Sequence, residues 1–286
     1  MRKNQITNAA SRAFPILRRG ADGGLTHTSD VLAIEEPLEI RLGYGDAHRR
    51  LYASVSVTMR TPGHDEALAL GFLFSEGIIS RYEEVLQLRF AGPEEHPQNV
   101  IVVELQAGVR VDMDRLKRHF YTSSSCGICG KASLEQLQLM PGYYPTPGLP
   151  AVVADQLVGW PERLLSAQST FARTGGLHAA GLFSSEGELL LLHEDVGRHN
   201  ALDKIIGEAL RRQWLPLRSQ LLLLSGRASF ELVQKALMAG LPMVAAVGAP
   251  SSLAVELAAM YDLSLIGFLR DGRFNVYSGE ERIIFA

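Results

Sequence analysis

The sequence predicts an α/β fold (α+β overall): a three-layer C-terminal lobe whose sheet carries helices on both faces, beside a smaller, strand-rich N-terminal lobe. Three observations predict it. Strand-like and helix-like runs alternate through the second half of the chain, the pattern of a largely parallel sheet with helices packed against it. Residues 140–150 hold four prolines and two glycines and read as a linker that divides the chain near residue 150. Apolar residues make up 47% and charged residues 21% of the 286, which supports a sizeable core and excludes wholesale disorder.

Residues 1–30 mix Arg, Gly, Ser and Thr without periodicity and read as a loose tail. A strand is expected over 38–42. Another is expected over 51–59, where Leu51, Ala53, Val55, Val57 and Met59 alternate with polar neighbours. Thr61-Pro62-Gly63-His64-Asp65 breaks that alternation and opens a helix marked by Leu68, Phe72 and Ile79, with Gly77 near its end. Strands follow over 85–90 and 100–105, so the N-terminal lobe spans 31–149 and ends in the Cys-x-x-Cys loop. In the C-terminal lobe, 150–286, a helix is expected over 151–171, interrupted at Pro161. Strands over 179–183 and 188–193 flank a Ser184-Ser185-Glu186-Gly187 turn. Helices over 200–212, 229–239 and 251–261 then alternate with strands over 220–224, 243–247 and 264–268, and a strand over 273–276 closes the pattern. There is no repeat of fixed period.

Lys and Arg total 28 against 31 Asp and Glu, a net charge of -3 that argues against bulk nucleic acid as the partner. The start has no apolar core of signal-peptide length, and the most apolar runs, 221–224 and 243–247, are far too short to span a bilayer. The expectation is a soluble cytoplasmic protein with no membrane partner. Its 2 cysteines exclude a secreted disulfide scaffold.

Those cysteines form the strongest local signal, Ser124-Ser125-Cys126-Gly127-Ile128-Cys129-Gly130-Lys131. Two thiols three residues apart can bond to each other, share a metal, or act as nucleophile and resolving partner. A glycine after each cysteine opens the backbone to the sulfur, and Lys131 is the nearest cation; both favour the thiolate. A buried, inert pair is disfavoured by the polar, Gly-rich surroundings. A structural zinc site wants four ligands, whereas the chain offers one Cys pair with His119 nearby, so a metal would need scattered histidines or a second subunit. No metal ligand is assigned. A thioredoxin-like frame is weaker still, because no Trp precedes the pair.

Further motifs stand at the ends of expected strands. Gly175 and Gly176 permit close approach of a ligand or a plain helix C-cap, and His178 follows at a strand entrance. His193-Glu194-Asp195-Val196-Gly197-Arg198-His199-Asn200 joins a strand to a helix, where α/β folds place ligands. Its Asn200 also suits an N-cap, with Asp203 placed to favour the helix dipole. Ser225-Gly226-Arg227 and Val247-Gly248-Ala249-Pro250 repeat the geometry, and Phe268-Leu269-Arg270-Asp271-Gly272-Arg273 sets two guanidiniums around a tight turn. Each is weak alone. Together they line one sheet edge with anion-friendly turns, and a phosphate-bearing ligand is the natural occupant.

This ordered set resembles the FdhD family, the sulfur carriers needed for formate dehydrogenase activity. It comprises Thr61-Pro62-Gly63-His64-Asp65-Glu66, Ser125-Cys126-Gly127-Ile128-Cys129-Gly130, Thr174-Gly175-Gly176-Leu177-His178, Asp195-Val196-Gly197-Arg198-His199-Asn200 and Ser225-Gly226-Arg227. The resemblance runs from about residue 38 to the C-terminus. It implies a carrier that takes persulfide sulfur from a cysteine desulfurase of the IscS type and passes it to the molybdenum cofactor, bis-molybdopterin guanine dinucleotide, before that cofactor enters formate dehydrogenase. Cys126 would hold the persulfide, with Cys129 as helper or alternate carrier. Phe268, Leu269, Arg270, Asp271, Gly272 and Arg273 fall on the family's cofactor-binding stretch, and a guanine nucleotide such as GDP would mimic the cofactor. Gly175, Gly176, His178, Asp195, Arg198, His199 and Arg227 would complete that site. A cytidine-deaminase-like C-terminal fold and a homodimer are also implied. A zinc- or nucleotide-binding chaperone that never touches sulfur is the rival reading, and a thiol–disulfide oxidoreductase is a third.

Overall fold

The computed structural model describes residues 10–112 and 143–285, so Cys126, Cys129, Lys131 and His119 lie outside the described residues. Where a loose tail is expected, β1 (Ser11–Arg19) and β2 (Leu25–Ala33) pair antiparallel along their whole length. A local turn closes this hairpin. Gly20 N–H donates to the Gly24 carbonyl at 2.8 Å, Gly23 takes a φ of 85°, and the Asp22 carboxylate accepts from Gly24 N–H at 3.0 Å. Short-range turn chemistry, not hydrophobic periodicity, sets the hairpin.

β3 (Glu36–Asp46) and β4 (Arg49–Arg60) form a second hairpin, bulged at Ile40/Arg41. Next come α1 (Asp65–Ser75), β5 (Val85–Phe90) and β6 (Val100–Leu105), giving a sheet of order β4-β3-β6-β5. The helix stops before Ile79, which the sequence pattern had included, because the chain turns at Gly77 with φ 68°. After residue 143, β7 (Val152–Val153) leads into three short helices, α2 (Ala154–Val158), α3 (Trp160–Ala167) and α4 (Ser169–Thr174). They replace the single helix expected over 151–171. Pro161 lies in the first turn of α3, where its missing N–H costs nothing.

The remainder follows the expected alternation closely. β8 (His178–Ser184) and β9 (Leu189–Asp195) precede α5 (Arg198–Arg211), β10 (Gln220–Leu224), α6 (Phe230–Met238) and β11 (Met243–Ala246). Then come α7 (Ser252–Met260), β12 (Ser264–Arg270), β13 (Arg273–Ser278) and β14 (Ile283–Ile284). The sheet order is β13-β12-β11-β10-β8-β9. Only β10–β11 and β11–β12 are parallel; the pairings β10–β8, β8–β9 and β12–β13 are antiparallel. The expected largely parallel sheet is therefore corrected to a mixed one. Within this sheet only the neighbours joined through α6 and α7 are parallel. The tight turns at 185–188 and 271–272 leave no length for a crossover and make β8–β9 and β12–β13 antiparallel, while β10, which runs with β9, is antiparallel to the β8 strand between them.

Residue 150 does not separate two cores. Leu38, Ile40, Leu42, Leu68, Leu73 and Ile101 from the first half pack in one cluster with Ala201, Ile205, Leu222, Leu224 and Val244 from the second. At the centre of that junction α1 crosses α5 backbone to backbone. A Cβ on Gly71 would lie 1.8 Å from the Asp203 carbonyl, and one on Gly207 would lie 1.8 Å from the Ala67 carbonyl. Asp203, expected to serve the helix dipole, is instead buried, bonded to Lys235 Nζ at 2.8 Å and to the Ser75 hydroxyl at 3.1 Å. A smaller cluster on the sheet's other face joins Leu157, Trp160 and Leu164 to Phe183, Leu221, Leu223 and Leu269. The sheet thus has helices on both faces. Among the described residues no helix is long and apolar enough to cross a membrane.

Candidate functional site at one sheet edge

Strand direction decides what gathers at the site. β10, β11 and β12 run parallel and end at one edge; β8 begins there because it is antiparallel to β10, and β9 ends there because it is antiparallel to β8. His178, Asp195, Gly226, Gly248 and Phe268 consequently share that edge, and α5, α6 and α7 all start from it. Their N-caps are Gly197, Ser229 and Ser251, and only Ser251 caps with its side chain, accepting from Ala254 N–H at 3.3 Å. The first N–H groups of α5 and α6 thus have no side-chain cap, which suits an anion.

A backbone shelf ties the strand ends together. Gly248 N–H donates to the Gly226 carbonyl at 2.9 Å, and Phe268 N–H donates to the Gly248 carbonyl at 3.0 Å. The glycines are steric requirements. A Cβ on Gly248 would sit 2.9 Å from the Gly226 carbonyl oxygen, and one on Gly267 would sit 2.7 Å from Pro250 Cδ. Phe268 adopts a left-handed backbone, φ 54°, where β12 is irregular between Gly267 and Arg270. That irregularity turns the Leu269 side chain into the smaller core.

The structure sorts the expected ligand residues into three groups. His178, Arg198 and His199 lie at the site, half-buried. His178 ring nitrogen Nδ1 would lie 3.2 Å from a Cβ on Gly226, so the imidazole rests against bare backbone. Burial, with the nearby Arg198 charge and then His199, lowers the His178 pKa and keeps that imidazole neutral. Arg198 heads α5, and its Nε is buried with no partner among the described residues. Arg227, Arg270, Asp271, Gly272 and Arg273 are exposed around the rim, with the Arg270 guanidinium 5.9 Å from the Phe268 ring centre. Gly175 is the left-handed C-cap of α4, with φ 65°, and Gly176 follows it exposed.

Asp195 and Leu269, expected at the ligand site, have side chains buried beneath it. Neither side chain is exposed at all. The Asp195 carboxylate is bonded to Lys204 Nζ at 2.7 Å, Gly197 N–H at 2.8 Å, Asn200 Nδ2 at 3.0 Å and Thr61 N–H at 3.2 Å. It shapes the 195–199 turn from beneath and has no capacity left for a ligand. Leu269 can reach one only through its backbone. Asn200 is inside the helix rather than capping it, and its Nδ2 also donates to the Met59 carbonyl at 2.8 Å.

The residues that anchor this turn carry no local signature in the sequence. Thr61 Oγ1 accepts from Val196 N–H at 3.2 Å, and the Thr61 carbonyl accepts from Lys204 at 3.0 Å. The Glu194 carboxylate takes the N–H groups of Thr170 and Phe171 at 3.0 and 2.7 Å, holding α4 beside the site. His199 Nε2 lies 3.3 Å from the Ser229 hydroxyl and 3.9 Å from the Glu231 carboxylate. The His199 contact holds the Glu231 carboxyl down to about 2. Thr61 and Glu194 lie in the 61–66 and 193–200 motifs, but their partners are 134 and 24 residues away.

Fold and site define a class: a mixed α+β protein whose helix N-termini and arginines converge on one sheet edge. Residues 33–284 match the model of the FdhD/NarQ family, and the chain belongs to that family. A protein of Mycolicibacterium paratuberculosis described as sulfur carrier protein FdhD is 51% identical over 259 residues, 89% of this chain and 92% of that protein. Relatives of the same description in Streptomyces coelicolor and Anaeromyxobacter dehalogenans are 48% and 45% identical, covering 92% and 98% of this chain and the same shares of their own lengths. The crystal structure of a formate dehydrogenase accessory protein from Desulfotalea psychrophila superposes with a TM-score of 0.72 at 25% identity, covering 96% of this chain and all of that one.

Proposed function

We propose that this chain is a sulfur carrier that serves formate dehydrogenase. Cys126 accepts sulfur from a cysteine desulfurase and passes it to a molybdenum cofactor, bis-molybdopterin guanine dinucleotide, held at the sheet edge. The observation that carries the reading is the Cys-x-x-Cys run in a chain about half identical to proteins named as sulfur carriers. In the loading step the Cys126 thiolate attacks the terminal sulfur of the donor's persulfide. The new S–S bond forms on Cys126 and the donor's thiolate leaves, so no external oxidant or reductant is needed. Cys129 is the helper or alternate carrier.

The sheet edge fits the other substrate. Pyrophosphate groups suit the uncapped N-termini of α5 and α6 together with Arg198 and the rim arginines Arg227, Arg270 and Arg273. Neutral His178 and the His199 imidazole offer directional contacts to a guanine. The active assembly is a homodimer in the cytoplasm.

Intact-mass spectrometry after incubation with a cysteine desulfurase and cysteine tests the loading step on wild type, Cys126→Ala and Cys129→Ala. Gain of one sulfur's mass, lost on reduction and absent from Cys126→Ala, supports the reading. No sulfur adduct on any form, with stoichiometric zinc retained instead, overturns it in favour of a structural chaperone.

A further inference from the structure

Among the described residues, little packs against the β1–β2 hairpin. It forms a two-stranded sheet of its own, paired through nine residue positions from Ser11↔Ala33 to Arg19↔Leu25. Among the described residues its principal packing partner is α4, near the root, where Gly176 approaches Ala33. An isolated two-stranded hairpin is marginal in water and needs a third strand or a packed face. Yet its large apolar side chains remain open: Phe14 is 40%, Leu17 56%, Leu25 65% and Leu32 43% exposed. They occupy both faces. Phe14 and Leu32 share one face, while Leu17 and Leu25 share the other, as the cross-strand register requires. The arm's charges are partly matched within it, Arg18 standing 3.9 Å from Asp30 and Arg12 lying over the Phe14 ring.

A second open apolar surface lies on β4. Tyr52, Val57 and Met59 stand opposite Gly43, Glu39 and Pro37 of β3, which places them on the face turned away from Leu38, Ile40 and Leu42 of the core. They are 54%, 60% and 46% exposed with the hairpin in position, so the arm does not cover its own β4. β4 is also an edge strand.

We infer that the β1–β2 hairpin is a dimerisation arm, which packs against the outer face of β4 in a second copy of this chain. This rests on the homodimer proposed above and assigns its surface. The area argues for a second copy. The seven side chains leave roughly 650 Å² open on each protomer, close to the ~800 Å² that each partner contributes to a standard interface. In a two-fold pair each arm meets the other's β4 while the arms face each other, covering both faces of the hairpin. Because the arm springs from the residues beside α4, the pairing also fixes the distance between the two sheet-edge sites.

Size-exclusion chromatography with light scattering on the full chain tests this. Leu17→Glu with Leu25→Glu alters the arm, and Val57→Glu alters β4. All three side chains are exposed, so circular dichroism and urea midpoints should stay near wild type. Leu17→Ser with Leu25→Ser repeats the measurement without added charge. Wild type should be a dimer, and each variant should dimerise about a hundredfold more weakly. Mixing the arm variant with Val57→Glu should restore a dimer, since one intact arm then meets one intact β4. A monomeric wild type overturns the homodimer itself. A dimer that persists in the arm variants overturns the arm and leaves the homodimer standing.

Discussion

Replacing Lys204 by Met removes the cation paired with Asp195 while keeping most of the side-chain volume. Lys204 is 1% exposed and Asp195 fully buried. The ammonium lies 2.7 Å from the carboxylate, 3.0 Å from the Thr61 carbonyl and 3.4 Å from the Glu194 carbonyl, so the variant loses an ion pair and two backbone contacts. Removing one partner of a buried pair costs about 3–5 kcal/mol, because the remaining charge stays desolvated. Here Gly197 N–H, Asn200 Nδ2 and Thr61 N–H still reach Asp195. Those donors soften the loss, and about 3 kcal/mol is expected. Urea denaturation at neutral pH measures it. Asp195→Asn combined with Lys204→Met should lose at least about 1 kcal/mol less than the two single losses summed, since the double variant buries no uncompensated charge. A loss under about 1 kcal/mol for Lys204→Met, or strict additivity in the double variant, would refute the account of Asp195 as the charged anchor of the 195–199 turn.

Four further outcomes follow from the same geometry. Gly207→Ala should destabilise the protein by about 2 kcal/mol or more despite the gain of about 1 kcal/mol in helix propensity, because its Cβ would stand 1.8 Å from the Ala67 carbonyl; urea midpoints check this. His193, whose Nε2 is buried without a partner among the described residues, is held neutral with its pKa lowered to about 3 by burial and then by His64 and Lys204. Its folded value lies below its unfolded one, so its contribution is full above about 6.5 and lost as pH falls toward 3; His193→Gln should flatten acid unfolding over that window by up to about 1.4 kcal/mol per pH unit. In carbon-detected NMR the Glu231 carboxyl should titrate near 2 in wild type and return toward the ordinary carboxylate range in His199→Gln, its stabilising contribution being lost as pH falls through 2. Arg198→Ala should weaken GDP binding about 10- to 100-fold by calorimetry with little change in urea midpoint, and unchanged GDP affinity would remove Arg198 from the site.

Most elements were legible because their signals are local. The strands at 85–90, 100–105 and 220–224 fall where apolar, β-branched or Leu-rich runs place them, and Ser229 and Ser251 stand at the N-cap positions of two expected helices. The hairpin at the N-terminus was not legible. Its strands expose most of their residues, so no half-buried alternation marks them, and the turn at 20–24 carries the signal instead.

The α+β class, the Cys-x-x-Cys run and the positions of the turns at the sheet edge follow from neighbours a few residues apart and are legible along the chain. That one core crosses residue 150 and that the central sheet is mixed emerge from contacts made across the fold. Those contacts also separate Arg198 and His199, half-buried at the sheet edge, from Asp195 and Leu269, which are buried beneath it. Burial and ion pairing are properties of side chains brought together across the fold. Lys204 and Thr61 meet at Asp195 from segments 143 residues apart, and no pattern in either segment encodes that meeting.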